Sequence, residues 1–379
     1  MTARKKSSST PSAPPLVPRL GPDDPVDWWF GFKFNADSFP KCADGARRKG
    51  IFGGRPRSYP RGWSQQYVVA SSADPTLAEG AGCLGCTPTD PIGATFAQVY
   101  DGRCHYVLWN DQFYGAPRVP CGEKSEHYNC SSPWGHSKGM LAWDDDGNGF
   151  SLQVSTPSWP ASGSKDHPRQ GDGNTLGTVA DDDIMVSQHF FALRLPRADV
   201  VAVLKALGKA SVATDPGNPQ VVKNGGPAAI RKLVAKLGVR SESTKATVAE
   251  LSTGVRLVSK PSDLCVPPWQ MVSALLGGVP LRVASWWERP EIYSTKAGST
   301  VGCWDDALGA PGAVQIATTG TWAGASIGLE GGLGDQFNHA KLGVSTRSKD
   351  PLAIFGDMNQ QGALSRHYAY KDQKCDSSQ

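Results

Sequence analysis

An α/β protein built from two related halves is the fold class this sequence predicts, and three observations point to it. Strand-like and helix-like segments recur on both sides of the middle of the chain. Stretches rich in Gly, Asp and Asn, residues 171–183 and 214–226, separate them as connections. One short pattern, a histidine followed two places later by a lysine, occurs once in each half. The halves are read as residues 25–195 and 196–379, behind a tail of residues 1–24.

The tail carries basic residues, Ser and Pro but no apolar core of the length a secretory signal needs, so it reads as disordered and leaves the compartment open. Order begins at the aromatic run 26–34, which has strand character. Further strands are expected at 66–70, 95–100, 104–109, 139–143 and 150–154, with 144–149 as a turn of Asp, Gly and Asn. Residues 196–207 place apolar side chains at helical spacing, with Pro196 at the start and Gly208 at the stop. Residues 227–237 repeat that arrangement between Pro227 and Gly238, and 269–276 is a third helical segment. Strands resume at 279–286, 313–318, 342–346 and 353–355.

Composition excludes some functions. No stretch approaches the roughly 18 consecutive apolar residues of a membrane span, so a membrane partner is not expected. A formal charge of +4 is too mild to diagnose a nucleic-acid partner by itself. Of nine cysteines, six lie between Cys42 and Cys130, a density unusual for a reducing compartment. The Cys83–Cys86 pair has no second C-x-x-C to complete a zinc site, so a disulfide or buried thiols are expected there. Asp144-x-Asp146-x-Asn148-Gly149 begins like a calcium loop, but its twelfth position is Ser155 and its flanks are strands, which favours a hairpin turn. Asn129-Cys130-Ser131 fits a glycosylation sequon, a match expected by chance without a secretory signal.

The recurring pattern is Gly135-His136-Ser137-Lys138-Gly139 and Asn338-His339-Ala340-Lys341-Leu342. Alternate residues of a strand face one side, so each His and its Lys can address one ligand. If the halves face each other, two imidazoles and two ammonium groups converge, a set suited to a phosphodiester. One neutral imidazole attacks phosphorus, the protonated one serves the leaving oxygen, and the lysines balance charge. No metal or other cofactor is then called for. The other histidines receive no role: His105 reads as half-buried, His127, His167 and His367 as surface, and His189 as lying near a core edge.

Taken in order, Pro25-Val26-Asp27-Trp28, Trp109-Asn110-Asp111-Gln112, the two H-x-K runs and Gly356-Asp357-Met358-Asn359 resemble the deoxyribonuclease II family, within the wider phospholipase D superfamily. The resemblance implies a pseudo-dimer of two α/β halves, each with a mixed sheet flanked by helices, and one active site at the seam. It implies an acid endonuclease on DNA, double-stranded by expectation, that works without divalent metal through a phosphohistidine and leaves 3′-phosphate and 5′-hydroxyl ends. It places His136, Lys138, His339 and Lys341 in catalysis, with Asp357 and Asn359 as site residues. Asp111, Asp27, Asp144 and Ser158 match less firmly; Ser158 stands where family members carry asparagine. Activity is expected to fall above about pH 6, near the ordinary imidazole pKa. The alternatives are a phosphodiesterase on lipid headgroups and a silent DNA-binding protein. The sequence leaves open which histidine is the nucleophile and whether the protein is a monomer or a homodimer.

Overall fold

The computed structural model describes residues 14–39, 47–48, 57–58, 66–82, 84–85, 87–113, 117–121, 130, 134–157, 159–160, 163–168, 185–261, 263–286, 293–332, 334–349 and 351–360. The strands of the first part are β1 (Trp28–Lys33), β2 (Arg47–Arg48), β3 (Arg57–Ser58), β4 (Tyr67–Ser71), β5 (Ala78–Glu79), β6 (His105–Asn110), β7 (Lys138–Trp143), β8 (Gly149–Val154) and β9 (Gln188–Leu195). After them come β10 (Val222–Lys223), β11 (Thr247–Glu250), β12 (Arg256–Ser259), β13 (Leu281–Ala284), β14 (Val314–Ile316), β15 (Thr319–Trp322), β16 (Ala325–Gly328), β17 (Leu342–Ser345) and β18 (Ala353–Phe355). Four α-helices accompany them among the described residues: α1 (Pro91–Tyr100), α2 (Arg197–Lys209), α3 (Ala228–Val234) and α4 (Pro268–Leu275).

A mixed α/β architecture follows. An eight-stranded sheet in the order β10-β6-β7-β8-β9-β1-β4-β5 dominates, and a four-stranded sheet, β14-β13-β17-β18, lies later in the chain. The mixed sheet expected in each half holds for the smaller one, where β13 runs parallel to β14. The larger sheet is antiparallel throughout. Every residue of β7 is buried, as a central strand covered on both faces requires.

Most of the expected elements appear near their positions, and three readings need correction. Residues 95–100, read as a strand because Thr95, Phe96, Val99 and Tyr100 favour strands, belong to α1. Asp90 caps that helix, accepting from the Gly93 N–H at 3.0 Å, and Pro91 opens it. Eight of its ten residues are buried, so it shows no polar stripe to betray a helical period. Residues 14–24, read as tail, pack instead: Val17 is buried, and the Arg19 amide donates to Thr95 Oγ1 at 3.0 Å. Strand β9 and the hairpins β11–β12 and β15–β16 were not expected.

The later part of the chain is tied to the larger sheet. The Ser187 amide donates to the Phe337 carbonyl at 3.1 Å, and the His339 amide donates to the Ser187 carbonyl at 2.9 Å. Phe355 of β18 stacks on Phe30 and Phe191 with ring centroids 4.8 and 4.5 Å away. These contacts carry the second H-x-K onto strand β9.

Candidate active site

The first H-x-K sits where β7 begins. Gly135 must lack a side chain, since a Cβ there would come within 2.2 Å of the Ala210 carbonyl oxygen. Gly139 is constrained likewise, by the Leu152 carbonyl and the Trp109 ring. Strand β6 is in register beside them, pairing Asn110 with Lys138. Asp111, at its end, accepts from Lys138 Nζ at 2.7 Å and lies 2.6 Å from His136 Nδ1. An acceptor at Nδ1 puts the ring proton there and leaves Nε2 as the lone-pair nitrogen. His136 Nε2 is buried and has no hydrogen-bond partner. The neighbours of Asp111 hold it in place. Trp109 Nε1 donates to Ser137 Oγ at 2.9 Å, and Asn110 Nδ2 donates to the Trp159 carbonyl at 2.8 Å.

The second H-x-K precedes β17. His339 Nδ1 lies 2.9 Å from the Ser155 carbonyl and 3.3 Å from Gln188 Oε1. Lys341 Nζ lies 3.2 Å from both ring nitrogens of His339. Trp286 meets the ring edge-on, with centroids 5.0 Å apart. Asp357 holds the first motif, its Oδ2 accepting from the Lys138 amide at 2.9 Å and from Ser137 Oγ at 3.2 Å, while the neighbouring Gly356 amide donates to the Lys341 carbonyl at 3.1 Å. Asp357 Oδ1 and Asn359 Oδ1, like His136 Nε2, are buried without a hydrogen-bond partner. Buried polar atoms left open in this way mark a place where a ligand completes the network.

The electrostatics are those of a crowded cationic pocket. Burial pushes His136 down to about 4, against Asp111, which raises it, and with Lys138, which lowers it further. His339 is held well below its ordinary value by burial, then by Lys341, Lys138 and His136. That His136 and Lys138 act on His339 places both pairs in one electrostatic neighbourhood. Burial opposes ionisation of Asp111, but the charges of His136 and Lys138 overcome it and hold the carboxyl well below its usual range. Asp357 goes the other way, raised by burial to about 6 although Lys138 pulls it down.

Other expected residues lie elsewhere. Asp144 stands at the far end of β7, where its Oδ1 accepts from the Asp146 and Asn148 amides at 3.0 and 2.9 Å. That is the hairpin turn, not the site. Asp27 is exposed and pairs with Arg194 at 3.2 Å. Ser158, Cys83, Cys86, Asn129, His127 and His367 fall outside the described residues. Among the described cysteines, Cys121 and Cys130 form a disulfide, and the Cys130 amide donates to the Asp111 carbonyl at 2.6 Å. No group of three or more His, Cys, Asp or Glu among the described residues is arranged to hold a metal ion. None of the described helices is long and apolar enough to cross a membrane.

Sequence reasoning missed His189, Gln153, Gln188 and Ser155. The only signal for them was position: they sit at or just beyond the ends of β8 and β9. His189 is fully buried, with its Nδ1 accepting from the Lys341 amide at 3.2 Å and its Nε2 2.9 Å from Gln153 Oε1. A cavity of about 500 Å³ opens from His136 and Asp357 between the two sheets, and its remainder is chiefly apolar, lined by Leu193, Val203, Leu257, Val272 and Ile354 among others.

Histidine pairs with lysine and carboxylate partners, gathered around open polar atoms, describe a hydrolase of phosphodiesters. Residues 21–207 match the family model of deoxyribonuclease II. That match covers just under half of the chain and supports a deoxyribonuclease-type hydrolase. The matched segment holds Asp111 and the first H-x-K, while the second H-x-K lies beyond it. No curated protein matches the chain.

Proposed function

We propose that the protein is an acid DNA endonuclease that needs no divalent metal and cuts through a phosphohistidine, leaving 3′-phosphate and 5′-hydroxyl ends. The observation that carries this reading is the unequal surroundings of the two histidines. His136 offers an unpartnered Nε2 and has a carboxylate on its other nitrogen, which stabilises the cation that phosphorylation creates. His339 has no carboxylate on Nδ1, where a carbonyl and an amide oxygen lie, and lysine charge beside its ring makes its protonated form a strong acid.

His136 Nε2 therefore attacks phosphorus, forming the N–P bond as the bond to the 5′ oxygen breaks. Protonated His339 gives its proton to that oxygen. Water then attacks the phosphohistidine, His339 takes back a proton, and the 3′-phosphate leaves. Lys138 and Lys341 balance charge on the non-bridging oxygens. Because burial and the two lysines hold His339 low, its acid form is scarce at neutral pH, and the reaction favours acid. Bound phosphate draws both histidines upward. The two H-x-K pairs in one chain act as the halves of a pseudo-dimer, and double-stranded DNA is the substrate proposed.

The test is nicking of supercoiled plasmid at about pH 5 in excess EDTA by wild type, His136→Ala and His339→Ala. Cutting that survives chelation and is lost in both variants supports the reading; cutting that EDTA abolishes overturns it. The apolar cavity beside the site favours a second reading, a phosphodiester with an apolar substituent such as a phospholipid. Release of headgroup from phosphatidylcholine vesicles, faster than plasmid nicking, would select it.

A further inference from the structure

We infer that His189 is a positioning residue whose neutral imidazole replaces a missing rung of backbone pairing and so fixes the second H-x-K against the first half. The inference rests on the paired-histidine reading above. It begins from a ladder that stops. Ser187 and Asn338 form a parallel bridge, in which the Ser187 amide bonds the Phe337 carbonyl and the Ser187 carbonyl receives the His339 amide. Continued one step, a parallel ladder would send the Lys341 amide to the His189 carbonyl.

That carbonyl is already taken. The Ser155 amide donates to it at 3.1 Å, while the His189 amide donates to Ser155 Oγ at 2.9 Å. The Lys341 amide is buried, and a buried N–H left unpaired is costly. The side chain supplies what the backbone cannot: His189 Nδ1 stands 3.2 Å from the Lys341 nitrogen and accepts. Acceptance at Nδ1 fixes the tautomer, so Nε2–H donates to Gln153 Oε1 at 2.9 Å. Gln153 in turn helps to lower the pKa of Asp357, the carboxylate that receives the Lys138 amide.

His189 thus touches both catalytic pairs indirectly. Through its backbone it holds Ser155, whose carbonyl orients His339; through Nδ1 it holds Lys341; through Nε2 it orients Gln153 beside Asp357. No other group is needed for these three tasks. An imidazolium could not hold the Lys341 amide, since it has no acceptor at Nδ1.

The experiment compares wild type with His189→Leu, His189→Asn and His189→Gln. Asparagine carries an acceptor oxygen where Nδ1 stands, whereas glutamine reaches the Nε2 position and leaves the Lys341 amide unpaired. Plasmid nicking at about pH 5 should fall about 30-fold in the Leu and Gln variants, the scale of one unpaired buried N–H, with kcat carrying most of the loss. The Asn variant should recover to within about fivefold of wild type. Nitrogen-15 NMR of the wild-type imidazole, which requires no activity, should find Nδ1 unprotonated and Nε2 protonated across the active pH range. The opposite tautomer, an imidazolium, or an Asn variant no better than a folded Gln variant would overturn the assignment. Inactive wild type with the expected tautomer would sink the nuclease mechanism instead and leave the rung intact.

Discussion

Replacing Asp111 by asparagine is the sharpest perturbation the site offers, because one carboxylate serves two donors. Its oxygens lie 2.6 Å from His136 Nδ1 and 2.7 Å from Lys138 Nζ, and Lys138 is fully buried. An amide has one acceptor and one NH2 end, so it can satisfy both partners only if the His136 tautomer changes. If the amide NH2 turns to His136, Nδ1 must become the acceptor, the proton moves to Nε2, and the nucleophilic lone pair is lost. If it turns to Lys138, two donors meet. Losing a charged hydrogen bond costs about 1.5–3 kcal/mol, or about 10- to 150-fold in rate, and the tautomer shift adds to it. Stability should fall by about 3–5 kcal/mol, since an ammonium remains buried without its counter-ion. Asp111 also raises the His136 pKa, so its removal drives that pKa further down and the ring stays neutral. Raising the pH therefore cannot restore the rate. The assay is single-turnover plasmid cleavage in EDTA, with thermal denaturation in parallel to confirm folding. A folded Asp111→Asn protein within about threefold of wild type, well under one lost charged bond, would refute both the role of the carboxylate and the choice of His136 as nucleophile.

Three further outcomes follow from the same geometry. With bis(p-nitrophenyl) phosphate, whose leaving group needs no proton, His339→Ala should still form a phosphoenzyme and His136→Ala should not; acid-quenched mass spectrometry reads the difference. Stability should decline as pH drops below 6.5, because the folded His136 value, about 4, is depressed and the unfolded chain binds the extra proton. That contribution is complete above 6.5, amounts to about 3 kcal/mol, and is lost as pH falls through 4; Asp357, raised to about 6, opposes it, losing its contribution as pH rises. Urea titrations across that range check the sign. Replacing Cys121 and Cys130 by serine should cost about 2–3 kcal/mol from the nine-residue span they close and should slow nicking, because Cys130 steadies the Asp111 carbonyl.

What could be read in the sequence was local. The H-x-K pairs, the Asp144 turn and helices α2, α3 and α4 depend on neighbours a few positions away. Helix α1 escaped because Thr95, Phe96, Val99 and Tyr100 favour strands and outweighed the start signal of Asp90 and Pro91. Asp111 was visible only as a landmark, and its bonds to His136 and Lys138 required the β6–β7 register. His189 could not be found at all. Its work consists of replacing a backbone acceptor claimed by Ser155, a circumstance that exists only once three segments meet. Ser155 emerged at the site for the same reason: its carbonyl lies against His339, and a carbonyl carries no sequence signature.

The bond between Lys138 and Asp357 spans 219 positions of the chain. A ribosome therefore releases the whole first sheet, with its Asp111, His136 and Lys138, long before the partner motif exists. On the proposed mechanism, the growing chain would hold during that interval a nucleophile without its acid. Completion waits for the final strands, which dock on β9 rather than assembling a site by themselves. On the proposed mechanism, a chain cut short before residue 338 would hold one of its two histidine–lysine pairs and could not complete the reaction.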